Sequence, residues 1–170
     1  MQLPALRVWR LRALGRARAK GKGMHRRLII GIGNPDRGDD GVGARVAAKL
    51  ADEGLRDTEV MARSADVVGL IEDWADAEVV VLIDAAAPVS HPGTIHRVDL
   101  TAEVLPRDLS LSSTHSFGIL ETLELARSLD RLPRRVVLYA VEGTCFEPGS
   151  AMSPEVCAAA EEVARQIARC

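Results

Sequence analysis

A mainly parallel β/α architecture is predicted for this 170-residue chain by three features of its sequence. Apolar runs of strand length recur, the stretches between them carry apolar residues at 3-and-4 spacing, and the first and third runs stop at Gly, Asn or Asp. Leu28-Ile29-Ile30-Gly31-Ile32 reads as a strand buried on both faces, ending in the turn Gly33-Asn34-Pro35. Val42, Val46, Ala47 and Leu50 then give one apolar face to a helix from about Gly41 to Glu53. A weaker strand near Glu59–Ala62 precedes a second helical stretch marked by Val67, Leu70, Ile71 and Trp74. The most hydrophobic strand, Val79 to Ile83, is expected to stop at Asp84. About nine residues rich in Pro and Gly separate it from a strand at Thr94–Val98. A parallel crossover takes a dozen residues or more, so this fourth strand is expected to run antiparallel to the third. Ser113 or Thr114 can cap a helix that buries Ile119, Leu120, Leu123 and Ala126 and stops before Pro133. Val136–Val141 supplies a fifth strand. The last helix starts with Ser153 as N-cap and Pro154 in the first turn, and buries Val156, Ala160, Val163 and Ile167.

Composition narrows the class. With 47% apolar and 27% charged residues, the chain has the make-up of one ordinary globular domain and excludes collagen-like, disulfide-dense and wholly disordered classes. The net charge of −2 is a sum of unlike pieces: residues 1–27 hold nine Lys/Arg and no acid, leaving a strongly acidic body. Residues 1–24 are expected to be a disordered basic extension and residues 25–170 the domain, with Met24 as a natural start or residues 1–23 dispensable. The leader lacks the apolar core of a secretory signal, though an Arg-rich, acid-free segment also suits an organelle transit peptide or a nucleic-acid arm. Five aromatic residues in the whole chain offer no stacking platform for single strands. No run reaches the ~20 apolar residues of a membrane span. Cys145, Cys157 and Cys170 are odd in number and form no C-x-x-C pair, which points to a reducing cytosol rather than a zinc cage or disulfide frame. Cys145 is a nucleophile only if a base lies near it, and an incidental thiol otherwise.

In open parallel sheets the functional loops gather at the carboxyl ends of the strands. After the first strand comes Gly33-Asn34-Pro35-Asp36-Arg37-Gly38-Asp39-Asp40-Gly41. Asp84 follows the third, Ser112-Ser113-Thr114-His115-Ser116 comes after the fourth strand and a loop, and Glu142-Gly143 follows the fifth. Three carboxylates in the first loop would repel a diphosphate, and no Walker lysine is present, so a nucleotide site is disfavoured. One of Asp39 and Asp40 can cap the following helix, which leaves the other free and held ionised by the helix dipole. Asp84 is either a turn-forming residue or a functional charge at the end of an apolar strand. His115 sits at a helix start, where a neutral imidazole suits coordination or proton transfer, or is satisfied by a backbone group. Together Asp40, Asp84 and His115 fit a borderline divalent ion such as nickel or zinc with positions open to substrate. His25, His91 and His96 rank below His115.

The blocks GIGNPDRGDDGVGARVA, LIDAAAPVSHPGTIHRVD, STHSFGILETLELARSLDRLP and VVLYAVEG, in this order from about Arg27 to Ala164, resemble the hydrogenase maturation proteases of bacteria and archaea. The first and third blocks together carry the resemblance, because G-x-G-N-P alone also occurs in peptidyl-tRNA hydrolases. The resemblance implies a three-layer sandwich, with a five-stranded, mainly parallel twisted sheet and helices on both faces. It also implies an endopeptidase that removes a C-terminal extension from the large-subunit precursor of a nickel–iron hydrogenase after nickel insertion. By motif, the family's nickel-binding residues fall on Asp40, Asp84 and His115, which would also be the catalytic set. Many relatives have Glu where this chain has Asp40, and Asp39 is the neighbouring alternative. Glu142 is expected to help shape the substrate cleft.

The nickel is either resident, with zinc able to substitute, or supplied by the precursor, and the chemistry is either metal-dependent or of aspartic type. No G-x-S-x-G elbow or H-E-x-x-H helix supports serine or zincin chemistry. Two other readings stay open at this stage: a nickel-dependent hydrogenase chaperone that does not cut, and a nucleotide or peptidyl-tRNA enzyme on a similar sheet. The protein is expected to be cytoplasmic and monomeric, with no nucleic-acid or membrane partner.

Overall fold

The computed structural model describes residues 27–63, 69–104 and 115–170, with side chains from residue 118 onward in the last segment. The basic leader, Val67, and the capping candidates Ser113 and Thr114 lie outside the described residues. Strand β1 (Arg27–Ile32) leads through a 3-10 turn (Gly38–Gly41) into helix α1 (Val42–Glu53), and strand β2 (Thr58–Arg63) follows. Next come the one-turn helix α2 (Leu70–Asp73) and the long strand β3 (Val79–Ala86). Strand β4 (Ile95–Asp99), helix α3 (His115–Ser128), strand β5 (Arg135–Glu142) and helix α4 (Pro154–Ala168) complete the chain.

The five strands form one sheet in the order β2-β1-β3-β5-β4, parallel except for the edge strand β4. Strand alternation divides the apolar side chains between two cores. Ile29, Val81, Ile83, Val137 and Val141 face α1 and α4. Leu28, Ile30, Leu82, Val136 and Leu138 face the other way, against Trp74 and against Ile119, Leu123 and Ala126 of α3. Burial on both faces explains why the central strands read as continuous apolar runs rather than alternating ones. No helix among the described residues is long and apolar enough to cross a membrane.

Three local expectations need correction, while the antiparallel direction expected of the fourth strand relative to the third is observed. Strand β3 does not stop at Asp84 but continues to Ala86, because Asp84, Ala85 and Ala86 pair with Ala140, Val141 and Glu142. Strand β4 runs opposite to β3 but does not neighbour it; β5 lies between them and is the antiparallel partner of β4. The helical stretch around Leu70 is a single α-helical turn. On α3, Leu120 is 40% exposed, while Thr122 joins Ile119, Leu123 and Ala126 in the buried set.

The first turn of α1 rests directly on strand backbone. A Cβ on Gly43 would lie 2.3 Å from the Ile32 carbonyl oxygen and 2.5 Å from that of Ile83, and a Cβ on Gly31 would lie 2.0 Å from the Gly43 oxygen. Glycine at both positions lets the helix start approach the carboxyl ends of β1 and β3. Gly43→Ala is expected to cost about 1–3 kcal/mol, because backbone rather than a flexible side chain must move. A fall in the urea midpoint at unchanged m-value checks this; an unchanged midpoint contradicts the close packing.

Candidate functional site

The sheet order reverses between β1 and β3, since β1 is followed outward by β2 whereas β3 leads toward β5. Such a switch point opens a crevice at the carboxyl ends of its two strands. Asp40 stands in the loop after β1 and Asp84 near the end of β3, so topology places both at this crevice.

The loop after β1 is folded by its own side chains. Asn34 Oδ1 accepts the Asp36 N–H at 2.9 Å, an Asx turn, and the Asn34 N–H donates to Asp40 Oδ2 at 3.0 Å. Gly33 adopts φ +126°, and a Cβ there would lie 1.9 Å from the Asp40 carbonyl oxygen. The loop is tied to the segment after β5 by three further backbone bonds and one from a side chain. Gly38 N–H donates to Ser150 O, Asp39 N–H to Cys145 O, and Gly149 N–H to Asp36 O, while Arg37 Nε reaches Phe146 O.

The two adjacent aspartates have different work. Neither makes a side-chain capping bond to the 3-10 turn or to α1. Asp39, fully buried, accepts three backbone N–H groups: Thr144 at 2.8 Å and Cys145 at 2.9 Å on Oδ2, and Ser153 at 2.7 Å on Oδ1. Burial pushes its pKa up, but the hydrogen bonds from Ser153, Cys145 and Thr144 outweigh that and hold the carboxyl below its ordinary range. Both oxygens are thus engaged by backbone N–H groups. Ser153 does occupy the N-cap of α4 in extended conformation, yet its hydroxyl makes no capping bond. Its N–H is spent on Asp39.

Asp40 and Asp84 are each 1% exposed and incompletely satisfied. Asp40 Oδ1 and Asp84 Oδ2 have no hydrogen-bond partner among the described residues. Among the described residues, Asp84 Oδ1 accepts the N–H of Ala85 alone, at 2.8 Å. Burial, with a smaller contribution from the negative charge of Asp40, drives the Asp84 pKa well above the usual carboxylate range. Two buried carboxylates that repel each other, each keeping one oxygen unpartnered, make a donor set suited to a divalent cation. His115 opens α3, and its side chain lies outside the described ones. No group of three metal-ligating side chains occurs among the described residues.

Glu142, at the end of β5, holds a loop in place. It is wholly buried and fully engaged. Oε2 accepts the N–H groups of Val89 at 2.9 Å and Ser90 at 2.7 Å, and Oε1 meets Ser90 Oγ at 3.1 Å and His96 Nε2 at 2.7 Å. It therefore anchors the β3–β4 connection, and His96, which the sequence reading ranked low, is one of its partners. Against the cost of burial, bonds from Ser90, His96 and Val89 lower its pKa to about 2.

An apolar groove of about 510 Å³ runs from Pro35, Gly38 and Gly41 of this loop along Ala44, Ala48 and Ala51 of α1 beside the edge strand β2. Sequence reasoning missed Asn34 and this groove. The Asn-Pro dipeptide signalled a turn, but its link to Asp40 depends on the folded loop.

The profile of one family, hydrogenase maturation protease, matches residues 45–170, a span that includes Asp84 and His115 and begins after Asp40. Among individual relatives, the chain is 29% identical over 134 residues to the hydrogenase expression/formation protein HupD of Thiocapsa roseopersicina, covering 76% of this chain and 60% of that protein. It is 25% identical over 144 residues to the hydrogenase 2 maturation protease of Escherichia coli, covering 82% of this chain and 87% of that one. The hydrogenase maturating endopeptidase HybD of Escherichia coli superposes with a TM-score of 0.71 at 22% identity, over 84% of this chain and 89% of that structure, a likeness of fold.

The different states of the carboxylates lead to two expected outcomes. Asp39→Ala removes the acceptor of the Thr144, Cys145 and Ser153 N–H groups and is expected to cost about 1–3 kcal/mol, whereas Asp84→Asn replaces a buried carboxyl whose ionised form burial disfavours and leaves the metal-free protein as stable as the parent or more so. Thermal unfolding at pH 7 compares them; a clear loss of stability in Asp84→Asn contradicts the assignment. Glu142, lowered from 4.5 to about 2, contributes stability that is fully present above about pH 4.5 and is lost as pH falls toward 2. Glu142→Gln should be less stable at neutral pH and lose less stability across that window in an acid titration; an unchanged acid limb contradicts the anchor role.

Proposed function

Because the chain belongs to the hydrogenase maturation protease family, we propose that it is an endopeptidase that removes the C-terminal extension from the large-subunit precursor of a nickel–iron hydrogenase, and so activates it. The observation that carries this reading is the pair Asp40 and Asp84, buried at the switch point, each with one oxygen that has no partner among the described residues. In this reading Asp40, Asp84 and His115 hold nickel presented by the precursor, and the bound ion supplies Lewis-acid polarisation of the scissile carbonyl.

The chain's own residues do the positioning. The Asn34 N–H fixes Asp40 Oδ2 and leaves Oδ1 to face the ligand. The Ala85 N–H does the same for Asp84. Asp39 clamps the loop that carries Asp40 to the start of α4, so the donor geometry is set before substrate arrives. Burial excludes bulk water and strengthens the electrostatics of the site. The groove between the Asp40 loop and β2 offers an apolar bed for an extended stretch of precursor beside the site.

Incubation with a nickel-loaded large-subunit precursor is expected to yield a C-terminal mass loss. Asp40→Ala, Asp84→Ala and His115→Ala should each slow cleavage by at least about 100-fold without unfolding the protein. Parent-rate cleavage by His115→Ala overturns the site assignment, and an intact precursor retained by folded protein overturns the peptidase reading in favour of a binding module.

A further inference from the structure

Strand β2 is the outermost strand on the β1 side of the sheet. Its inner side is fixed by the parallel ladder to β1, at whose ends the Arg27 N–H donates to Asp57 O and the Gly33 N–H to Arg63 O. Backbone direction alternates along a strand, so residues 59, 61 and 63 bond to β1, while Thr58, Val60 and Ala62 turn their N–H and C=O groups outward. Among the described residues no further strand covers them. Natural sheet edges are commonly blunted by proline, lysine or a bulge. The β2 sequence TEVMAR has neither residue, and its register against β1 runs without a break from Thr58 to Arg63.

Beyond this edge lies the apolar groove of about 510 Å³, walled by Val60 and Ala62 of β2 and by Ala44, Ala48 and Ala51 of α1. It starts at Pro35, Gly38 and Gly41, in the loop that carries Asp40, and is therefore continuous with the crevice. Helix α1 leaves the carboxyl end of β1 and returns to the amino end of β2, so its last residues stand at the far end of the groove. Asp52 lines that end. With Glu53 it closes α1 in a last turn that holds no basic residue, an arrangement the helix dipole disfavours. Asp52 has no ion-pair partner among the described residues, whereas Arg45, the one cation of the lining, is paired with Glu161 at 3.6 Å. The groove thus presents outward backbone on one wall, small apolar side chains on the other, and an unpaired carboxylate at the end remote from the crevice.

We propose that the precursor residues just carboxyl to the scissile bond bind here as a sixth strand of the sheet, antiparallel to β2. This strand addition rests on the peptidase reading and adds to it the mode, the direction and the sequence class of the recognised segment. A segment that leaves the crevice after the scissile bond travels from the carboxyl pole of the sheet to the amino pole, opposite to β2. Thr58, Val60 and Ala62 supply its main-chain hydrogen bonds, and its alternate side chains enter the groove. The alanines of α1 leave room there for aliphatic side chains such as Val or Leu. The six residues of β2 span ~20 Å, so Asp52 meets about the sixth residue of the segment and selects Lys or Arg there.

The probe is a peptide of about twelve residues copied from the start of the precursor's extension, made with lysine or with glutamate at its sixth residue and added to the full chain. Binding is read from amide chemical shifts, and cleavage from kcat and KM on the whole precursor. The lysine peptide is expected to shift residues 44–52 and 58–62 and to bind at least about fivefold more tightly than the glutamate one. Asp52→Lys is expected to reverse that order while raising the melting temperature. N-methylation of every second peptide amide should weaken binding at least about tenfold in one phase and little in the other, since alternate N–H groups of an added strand face β2. Ala48→Trp, at an exposed position, is expected to raise KM for the precursor at least about tenfold with kcat within about twofold of the parent. Equal loss in both methylation phases, an unchanged order in Asp52→Lys, parent KM in Ala48→Trp, or shifts outside the groove overturn the strand addition. So does a concentration-dependent dimer with the same shifts and no response to peptide, which assigns the edge to a second copy. The binding arm requires no cleavage. Shifts on β2 in a chain that leaves the precursor intact therefore uphold the strand addition and overturn the peptidase reading, and cleavage at parent KM in Ala48→Trp does the reverse.

Discussion

The tie between the Asp39 carboxylate and the backbone of Thr144, Cys145 and Ser153 is the interaction on which the site depends. It joins the first loop of the chain to the segment between β5 and α4, more than a hundred residues away. Without it the two loops would be held only by a few backbone bonds over a glycine-rich stretch, and their positions relative to β3 would be soft. With it, the 3-10 turn is fixed at both ends and Asp40 is held at the switch-point crevice. A buried carboxylate that accepts three N–H groups is stable because each lone pair used offsets part of its lost hydration.

The same economy is withheld from Asp40 and Asp84. Each keeps an oxygen with no partner among the described residues in a nearly solvent-free position, and burial together with the charge of Asp40 opposes ionisation of Asp84. Such an arrangement costs stability and persists where the surrounding structure over-determines it, as it does here through the glycine contacts under α1 and the paired end of β3. Asp39 and Glu142 are carboxylates that hold loops; Asp40 and Asp84 are carboxylates that the fold leaves open. Burial is common to all four, and the count of hydrogen-bond partners separates them.

Much of the fold could be read from the sequence because β1, β3 and β5 are buried on both faces and announce themselves as apolar runs, and because α1 and α4 carry strong one-sided spacing. What could not be read was non-local. The partner of β4 depends on β5, which arrives forty residues later and inserts beside β3. The continuation of β3 through Asp84 depends on pairing with Ala140–Glu142 rather than on its own residues. Leu120 is apolar but sits on the exposed side of α3, where spacing alone leaves a boundary residue ambiguous. In the site, Asp39 and Asp40 are chemically identical neighbours in one turn, and only the N–H groups of residues 144, 145 and 153 distinguish scaffold from open donor. Glu142 was legible as a strand-end acid but not as the acceptor for Val89, Ser90 and His96, since those belong to a connection whose course the sequence does not specify.

The central claim is that Asp40 and Asp84 jointly receive a divalent cation. The nickel-induced shift in melting temperature of the purified chain measures this most directly, because an ion that binds the folded state alone stabilises it by mass action. Nickel at a hundredfold excess over its Kd is expected to raise the parent's melting temperature by roughly 5–10 °C, and to leave Asp40→Asn and Asp84→Asn where they are without metal. An equal rise in the parent and in both variants would place the cation elsewhere and contradict the claim.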